Sequence, residues 1–250
     1  MVAGRILPRF SAAAFERIAT MRSQNPRAFV GLDRSGRWGR ENCFARCREY
    51  GEGCRSACLI ERNSPVLMVA HVDTVLMPSK NAVIRGDRLY HNAVDNRLGV
   101  YLGLELLPSL GIEVDLLLTT GEEEGFSTAA VFRTRKRYRW IFSFDRRGED
   151  VVFYQYERPS LVARLREAGF AVGQGSYSCI AELEHLGCCG MNFGCGMYDY
   201  HSEGAYCDLA ALARQLRRFC AFYRKYSATF LPHSASLVGW RGFVPLAGPA

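Results

Sequence analysis

Short runs of consecutive apolar residues alternate along this 250-residue chain with segments whose apolar residues have helical spacing. A strand that is buried on both faces lacks alternation of polar and apolar residues, so such runs predict central strands of a sheet. The clearest runs are VLMVA, VDLLLTT, WIFSF and GMNFG. The helical segments fall at about residues 11–22, 97–107, 127–134, 160–170, 179–187 and 205–226. This order predicts an α/β fold, a three-layer α/β/α sandwich around a mixed, largely parallel central sheet.

Turn-forming residues predict two hairpins, one around residues 33–36 and one with its turn at Gly86 and Asp87. The run VVFYQY predicts another strand, and Pro108 predicts the end of the helix over residues 97–107. Because no linker or repeat divides the chain, we expect one domain over residues 1–250. It includes a cysteine-rich insertion at about 41–60 and an irregular tail at about 227–250.

The composition favours a folded cytoplasmic protein. A hydrophobic fraction of 48% supplies a core, no apolar run is long enough for a membrane span, and the first residues lack a secretory pattern. The formal net charge of +7 comes from 32 basic residues, all but three of them arginines that are spread along the chain. Scattered charge without interleaved aromatic residues is not typical of a nucleic-acid surface. We therefore expect neither a specific nucleic-acid partner nor a membrane partner.

Four of the ten cysteines lie within sixteen residues, and these are Cys43, Cys47, Cys54 and Cys58. Four thiolates satisfy a structural zinc ion, but paired zinc-binding cysteines are usually separated by two residues rather than the three found here. A three-residue gap instead places each pair on one turn of a helix. A structural zinc ion, reduced thiols and a redox-formed bridge therefore stay open for this cluster.

Polar side chains of the kinds that bind metals follow the predicted strands. Such residues are costly in a core unless they converge on one site, and the carboxyl ends of parallel strands meet at one edge of a sheet. The residues concerned are His71, Asp95, Glu122, Glu123, Asp145 and His201. Taken singly, Asp95 also fits a helix cap, the two glutamates a helix N-terminus, and His71 a core histidine. Their common placement at strand ends favours one shared metal site over these separate structural roles.

These residues meet the needs of two zinc ions that share a bridging carboxylate. The hypothesis assigns His71 and Asp145 to one ion. It assigns Glu123 and His201 to the other ion, with Asp95 as the bridge.

Two further acids have expected roles beside the metals. Glu122 points in a different direction from Glu123 on an extended backbone, and we expect it to act as the general base. Asp73 lies two residues after His71 on the same strand face. We expect it to accept the other imidazole N–H, which fixes the ligating tautomer.

Five segments, AHVDT, AVDNRLG, TGEEEG, FDRRG and GMYDYHS, resemble in this order the motifs of the co-catalytic zinc exopeptidases, a superfamily of aminopeptidases, carboxypeptidases and deacylases. The resemblance covers about residues 66–210 and implies the ligands, the base and the orienting acid named above. It also implies two Zn²⁺ ions, although other divalent metals suit the same ligand types. Relatives with a lid insert it where this chain has only 23 residues after His71 or 55 after Asp145, so we expect a minimal domain without a lid.

Residues that contact the substrate are less distinctive. Tyr177, Tyr198 and Tyr200 are candidates for stabilising an oxyanion through the phenol hydroxyl, although each also fits a packing role. Arg146 and Arg147, in the FDRRG segment, are candidates for binding a substrate carboxylate, with a surface salt bridge as the alternative.

The sequence therefore predicts a metal-dependent hydrolase, foremost an aminopeptidase that acts on short peptides. Hydrolysis of a non-peptide amide, such as an N-acyl amino acid, is the alternative within the same chemistry. A single-zinc cyclase-type relative and a non-catalytic binding protein are alternatives of other kinds. No pattern in the chain specifies an oligomeric state.

Overall fold

One eleven-stranded sheet lies at the centre of the computed structural model, which describes residues 9–30, 47–51 and 56–234. The strands are β1 (Cys47–Tyr50), β2 (Ala57–Ile60), β3 (Val66–His71), β4 (Val83–Arg85), β5 (Arg88–Tyr90), β6 (Asp115–Thr119), β7 (Trp140–Arg147), β8 (Asp150–Val152), β9 (Ala171–Val172), β10 (Gly190–Tyr198) and β11 (Tyr206–Asp208). Their order is β1-β2-β6-β3-β7-β10-β11-β5-β4, with β8 paired to β10 and β9 paired to β8.

The four central strands, β6, β3, β7 and β10, run parallel to one another. Their residues are almost all buried, which explains the continuous apolar runs in the sequence. Antiparallel strands extend the sheet at both edges, β1 and β2 beyond β6, and β11, β5 and β4 beyond β10. The predicted α/β fold with a mixed sheet is confirmed, with the parallel pairing concentrated at its centre.

Helices cover one face of this sheet. They are α1 (Ala12–Ala19), α2 (Val94–Tyr101), α3 (Leu107–Ser109), α4 (Pro159–Glu167) and α5 (Leu209–Tyr226), and a π-helical turn over Leu102–Leu106 joins α2 to α3. Phe219 of α5 packs on Phe142 and Phe144 of β7, with ring centroids 4.7 and 4.9 Å apart. A Cβ atom at Gly103 would lie only 2.8 Å from the Leu116 side chain, so glycine permits the close approach of the π turn to β6. None of the helices in the described ranges is long and apolar enough to cross a bilayer.

The opposite face is covered by 3₁₀ segments rather than by α-helices. The Thr119 hydroxyl points away from the helical face and contacts Cys179 Sγ at 3.3 Å, at the start of the segment Cys179–Leu186. A second 3₁₀ segment, Thr128–Val131, packs against the first. Helices were expected at both places. Thr128–Val131 has only four residues, too few for a stable α-helix, and the backbone of Leu183, with φ −108° and ψ 15°, interrupts Cys179–Leu186.

Three other boundaries differ from the predictions. Pro108 lies inside the last helical turn, because the preceding π turn shifts the hydrogen bonds and tolerates a residue without an N–H. Helix α5 begins only after β11, where Asp208 caps it by accepting a hydrogen bond from Ala211 N at 2.8 Å. The run VVFYQY leaves the sheet after β8 and ends in a 3₁₀ turn over Tyr154–Tyr156.

The two predicted hairpins have different outcomes. Strands β4 and β5 confirm the hairpin at Gly86, whose positive φ of 59° suits the turn. Residues 33–36 lie outside the described residues, and the Pro26–Phe29 segment before them is a 3₁₀ turn capped by Asn25. Pro26 at the first position of that turn lacks the N–H that a strand would need.

The two described cysteines of the cluster lie in strands. Cys47 belongs to β1 and Cys58 to β2, which pair antiparallel at the edge of the sheet. Cys43 and Cys54 lie outside the described residues, as does the tail from residue 235 onward. The zinc site at these cysteines therefore stays a prediction.

We expect Phe219→Ala to destabilise the protein by about 3–5 kcal/mol, because it removes a fully buried ring from the contact between α5 and the sheet. Chemical denaturation measures this loss. Met77→Ala is the matched control, since Met77 is 66% exposed and its truncation should change the free energy of unfolding by less than about 0.5 kcal/mol. Equal effects of the two substitutions would contradict this packing.

Candidate active site

The carboxyl ends of the central parallel strands carry the metal-binding candidates. His71 ends β3, Asp145 lies near the end of β7, and the turn Glu122–Glu124 follows β6. His201 lies in the loop between β10 and β11. Parallel strands present these ends at one edge of the sheet, where α/β folds place their ligand sites.

His71 lies at the centre of the cluster and is fully buried. Its Nε2 atom is 3.2 Å from Asp95 Oδ1, 3.3 Å from Asp145 Oδ1 and 3.6 Å from Glu122 Oε2. Three carboxylates therefore surround one imidazole nitrogen. This is the arrangement expected where a cation, and not the imidazole alone, balances their charge.

His201 forms the second half of the cluster. Its Nε2 atom is 2.9 Å from Glu123 Oε2 and 3.1 Å from Asp95 Oδ2. The backbone of His201 has a φ of 63°, a left-handed conformation that non-glycine residues adopt at some energetic cost and that recurs at functional sites. Asp95 thus directs one oxygen at each histidine, as the hypothesis of a bridging carboxylate requires.

Asp95 owes its position to the start of helix α2. Its backbone is extended, and Asn96 rather than Asp95 caps the regular part of the helix, because Asn96 Oδ1 accepts a hydrogen bond from Gly99 N at 2.9 Å. A Cβ atom at Gly99 would lie 2.7 Å from the main-chain oxygen of Phe144, so glycine lets this turn approach β7 closely. The carboxylate of Asp95 is therefore free to face the histidines.

Glu122 and Glu123 lie on a 3₁₀ turn rather than on the extended backbone expected from the sequence. Successive residues of such a turn point about 120° apart, so the two side chains still diverge. Glu122 approaches His71, whereas Glu123 approaches His201. Gly121 precedes the turn with a φ of 88°, and a Cβ atom there would collide with the Phe126 ring.

Asp73 contacts both halves of the cluster. His71 Nδ1 is 3.1 Å from the main-chain oxygen of Asp73 and 3.5 Å from its carboxylate, and its N–H donates to the nearer main-chain oxygen. The other carboxylate oxygen of Asp73 accepts a hydrogen bond from Glu123 N at 3.0 Å. Asp73 therefore orients His71 and also holds the backbone of Glu123.

Three residues that the sequence analysis missed support Asp145. Ser178 Oγ donates to Asp145 Oδ2 at 3.3 Å, and Asn192 makes two hydrogen bonds to the Asp145 backbone at 3.1 and 3.2 Å. Asn192 Nδ2 also donates to the Tyr154 hydroxyl at 2.9 Å. A single asparagine inside the apolar run GMNFG was a usable signal, because a buried amide needs partners. Ser178 and Tyr154 carried no signal in the sequence.

The donor atoms of the cluster fit a metal better than they fit one another. His71 Nε2, Asp95 Oδ1 and Glu123 Oε1 are buried atoms that have no hydrogen-bond partner within the described part of the chain. His71 Nε2 and Asp95 Oδ1 are 3.2 Å apart, a separation that two ligands of one zinc ion can have. Two sets offer ligand atoms within 4.8 Å of one another, His71 with Asp95 and Glu123, and His71 with Glu122 and Asp145. Imidazole nitrogen and carboxylate oxygen are ligands of Zn²⁺.

Burial and charge shift the acid–base properties of these groups. Burial raises the pKa of Glu122 to about 8 and that of Asp145 to about 6. The contacts with Asp95 and Glu123 raise the pKa of His201 to about 10. Burial also raises the pKa of Asp95, but the imidazoles of His201 and His71 outweigh it and hold this pKa well below the ordinary value. Glu122, Asp145 and His201 therefore hold their protons to a higher pH than usual, as expected where a bound cation would otherwise balance the negative charge.

A cleft of about 410 Å³ opens onto the cluster. Its walls include Asp95, Glu122, Asp145, Arg146, Arg147, Tyr154, Tyr177, Tyr200, His201 and residues 174–176. The Tyr200 ring stands edge-on against the His201 ring with centroids 4.7 Å apart. The Tyr177 hydroxyl is engaged by Glu182, to which it donates a hydrogen bond at 3.0 Å. Of the three tyrosine candidates, Tyr177 and Tyr200 therefore line the cleft.

Tyr198 does not line this cleft. It stacks on Tyr206 with centroids 5.4 Å apart and belongs to a neighbouring cleft beside Glu149 and Arg214. Tyr154, which was not a candidate from the sequence, lines the cleft of about 410 Å³. Its hydroxyl oxygen accepts a hydrogen bond from Asn192, so its O–H can still donate to another acceptor.

Comparison of the sequence with protein-family models and with curated proteins found no match. Several peptidases of known structure have a similar fold. They include the aminopeptidase PepT of Bacillus cereus, at 9% identity and a TM-score of 0.58 over 88% of this chain and 97% of that chain. A tripeptidase from Staphylococcus aureus has 10% identity and a TM-score of 0.57 over 90% and 99% of the two chains. An aminopeptidase from the archaeon Desulfurococcus kamchatkensis has 12% identity and a TM-score of 0.59 over 86% and 94%. The chain thus has an α/β fold that is also found in aminopeptidases.

We expect Asp73→Ala to weaken Zn²⁺ binding by about 10- to 100-fold, because the Glu123 backbone loses its hydrogen-bond acceptor and His71 loses the carboxylate that lies 3.5 Å from its Nδ1 atom. Competition with a chromophoric chelator measures the dissociation constant. Asp87→Ala is the control, because Asp87 is exposed at the tip of the β4–β5 hairpin. Unchanged Zn²⁺ affinity in Asp73→Ala would contradict the orienting role.

Proposed function

We propose that this protein is a metal-dependent exopeptidase, an aminopeptidase that removes residues from short peptides. The observation that carries the proposal is the convergence of His71, His201 and the surrounding carboxylates at the carboxyl edge of the sheet. Buried donor atoms of this cluster lack other partners within the described residues. The peptidases that share the fold support the choice of peptides as substrate.

Two divalent ions, Zn²⁺ foremost, would be held by the two halves of the cluster. His71 and Asp145 would hold the first and Glu123 and His201 the second, with one Asp95 oxygen for each. Bound there, the ions supply Lewis-acid activation of a water molecule and of the scissile carbonyl. Burial of His71 and the support of Asp145 by Ser178 and Asn192 keep these ligands in place.

Glu122 is the proposed general base. It lines the cleft beside the ligands, and apart from its approach to His71 its side chain makes no ion pair or hydrogen bond among the described residues. Its carboxylate is therefore free to take a proton from the attacking water and to pass it to the leaving amine. Its neighbour Glu123 is held by His201 and by the hydrogen bond of its N–H to Asp73, which leaves the two adjacent glutamates with separate tasks.

The cleft suits a short substrate. A volume of about 410 Å³ lies at the lower end of the range for ligand pockets, which is about 300–1,000 Å³. Tyr200 and Tyr154 bring phenol hydroxyls to its wall and are the proposed sources of a hydrogen bond to the developing oxyanion. Buried thiols such as Cys179, Cys195 and Cys207 suit a reducing compartment, which supports a cytoplasmic location as part of the proposal.

We expect Glu122→Gln to lower kcat for aminoacyl-peptide hydrolysis by about 10²- to 10⁴-fold while metal content is unchanged, because the amide keeps the shape but cannot accept the proton. Metal analysis and steady-state kinetics of the purified protein measure both quantities, and a chelator should abolish the wild-type activity. Glu124→Gln is the matched control, since Glu124 belongs to the same turn but is exposed.

About two metal ions per chain, with activity lost in Glu122→Gln and kept in Glu124→Gln, is the expected result. A protein that binds no metal and hydrolyses no amide would refute the proposal. Hydrolysis of N-acyl amino acids without hydrolysis of aminoacyl peptides would instead replace the aminopeptidase by a deacylase with the same machinery.

A further inference from the structure

The two consecutive arginines after Asp145 have different surroundings, and the difference bears on the substrate. Arg146 is engaged through three of its five N–H donors: its Nε and Nη2 atoms donate to both carboxylate oxygens of Asp150, at 2.7 and 2.8 Å, and Nη2 also donates to the main-chain oxygen of Gln174 at 2.8 Å. It therefore fixes the segment over residues 174–176, which forms a wall of the cleft. The bidentate pair with Asp150 balances the charge of this guanidinium, so Arg146 is a weaker receptor for a substrate anion than an unpaired arginine.

Arg147 lines the same cleft and is exposed. Among the described residues it has no hydrogen bond and no ion pair. The nearest acids of the cleft, Asp95 and Asp145, are occupied by the histidines, and Glu122 has the proton-transfer task proposed above. Arg147 thus presents five N–H donors in a planar fork that matches the geometry of a carboxylate.

The surroundings of Arg147 add to its positive charge. Arg147 also lines a neighbouring cleft of about 700 Å³, together with Arg214 and Arg218. Those two arginines share a single carboxylate, Glu149, with contacts of 2.6 Å from Arg214 and 3.4 Å from Arg218. This side of the catalytic cleft therefore has an excess of positive charge, which attracts anionic groups.

The spacing of Asp145 and Arg147 along β7 bears on the length of the substrate that the cleft prefers. Arg147 follows Asp145 by two residues, a spacing of about 7 Å in a strand, and an extended peptide has the same rise per residue. For a substrate extended along β7 with its scissile carbonyl beside Asp145, a carboxylate one residue further on lies about 3.4 Å along this span, and the remaining distance suits its contact with the Arg147 guanidinium.

We propose that Arg147 binds the free α-carboxylate of the amino acid that leaves, so that the preferred substrates end one residue after the scissile amide. This inference rests on the proposed hydrolase. Dipeptides and N-acyl amino acids share this chemistry, because both present a carboxylate one residue beyond the amide. Arg147 is then the residue that determines specificity, and Arg146 holds the wall beside it.

The experiment compares Ala-Phe with its C-terminal amide, Ala-Phe-NH₂, in wild type and in Arg147→Gln. Wild type should hydrolyse the free acid with a kcat/KM about 10- to 100-fold higher than the amide, the effect expected of a hydrogen-bonded charge pair. Arg147→Gln should lose this preference mainly through KM, with hydrolysis of the amide unchanged. Arg147→Lys should restore part of it, and Arg135→Gln, at an exposed arginine that lines neither of the two clefts, should leave it intact.

Binding provides a second readout that does not need turnover. Isothermal titration of the Glu122→Gln protein with Ala-Phe and Ala-Phe-NH₂ should show the same 10- to 100-fold preference for the acid, and the double variant Glu122→Gln/Arg147→Gln should lose it. Equal binding of acid and amide by the Glu122→Gln protein would overturn the inference, whether or not the wild type is active. So would a preference that survives in the double variant.

The two proposals can fail separately. If the acid is bound through Arg147 but no substrate is hydrolysed, the assignment of Arg147 as the carboxylate site stands and the proposed enzyme does not. If both peptides are hydrolysed equally and Arg147→Gln slows neither or both alike, the enzyme stands and the inference is overturned. N-acetyl-phenylalanine, tested beside Ala-Phe, distinguishes the two sources of the carboxylate and supports the inference in either case if its binding needs Arg147.

Discussion

The concentration of negative charge at one edge of the sheet is the constraint on which the rest of the structure depends. Five carboxylates lie between 2.9 and 3.6 Å from the nitrogens of two histidines, and they belong to Asp73, Asp95, Glu122, Glu123 and Asp145. The buried Arg97, which interacts with Asp73, offsets one of these charges. Four negative charges remain, which equals the positive charge of the two divalent ions proposed for the site. Without such ions, buried carboxylates in this number would oppose folding of the edge.

The sheet tolerates this concentration of charge because the residues that stabilise the core and the charged residues lie in different parts of the strands. Strands β6, β3 and β7 are buried over nearly their whole length, and their ionisable residues lie only at or near the strand termini. The burial of apolar side chains along the strands stabilises the core, while the turns beyond them hold the charged groups. Local devices then refine the positions, among them the glycine that lets the Glu122 turn pack on Phe126 and the asparagine that starts α2. Both features act on the backbone, whose conformation then sets the direction of the charged side chain.

The sequence predicts the central strands and the identity of the clustered residues, because a histidine or an acid directly after a buried apolar run is costly unless it serves a site. His71 and Asp145 are examples, and Asn192 could have been added by the same reasoning. It does not predict the left-handed backbone of His201 or the 3₁₀ segments on one face, since both result from tertiary contacts rather than from local preference. Ser178 is a further case: nothing near it in the chain indicates a hydrogen bond to a residue 33 positions away.

Arg146 and Arg147 are the clearest example of a difference that the sequence does not predict. In the sequence they are two equal basic residues, and only the fold gives Asp150 and Gln174 to one of them and leaves the other without a partner among the described residues. In that arrangement a single strand, β7, carries a proposed metal ligand, the anchor of the cleft wall and the proposed carboxylate receptor in three consecutive residues. A receptor placed on the sheet itself would select a short substrate without the help of a lid. In this proposal β7 positions the scissile amide through Asp145 and the carboxylate that ends the substrate through Arg147.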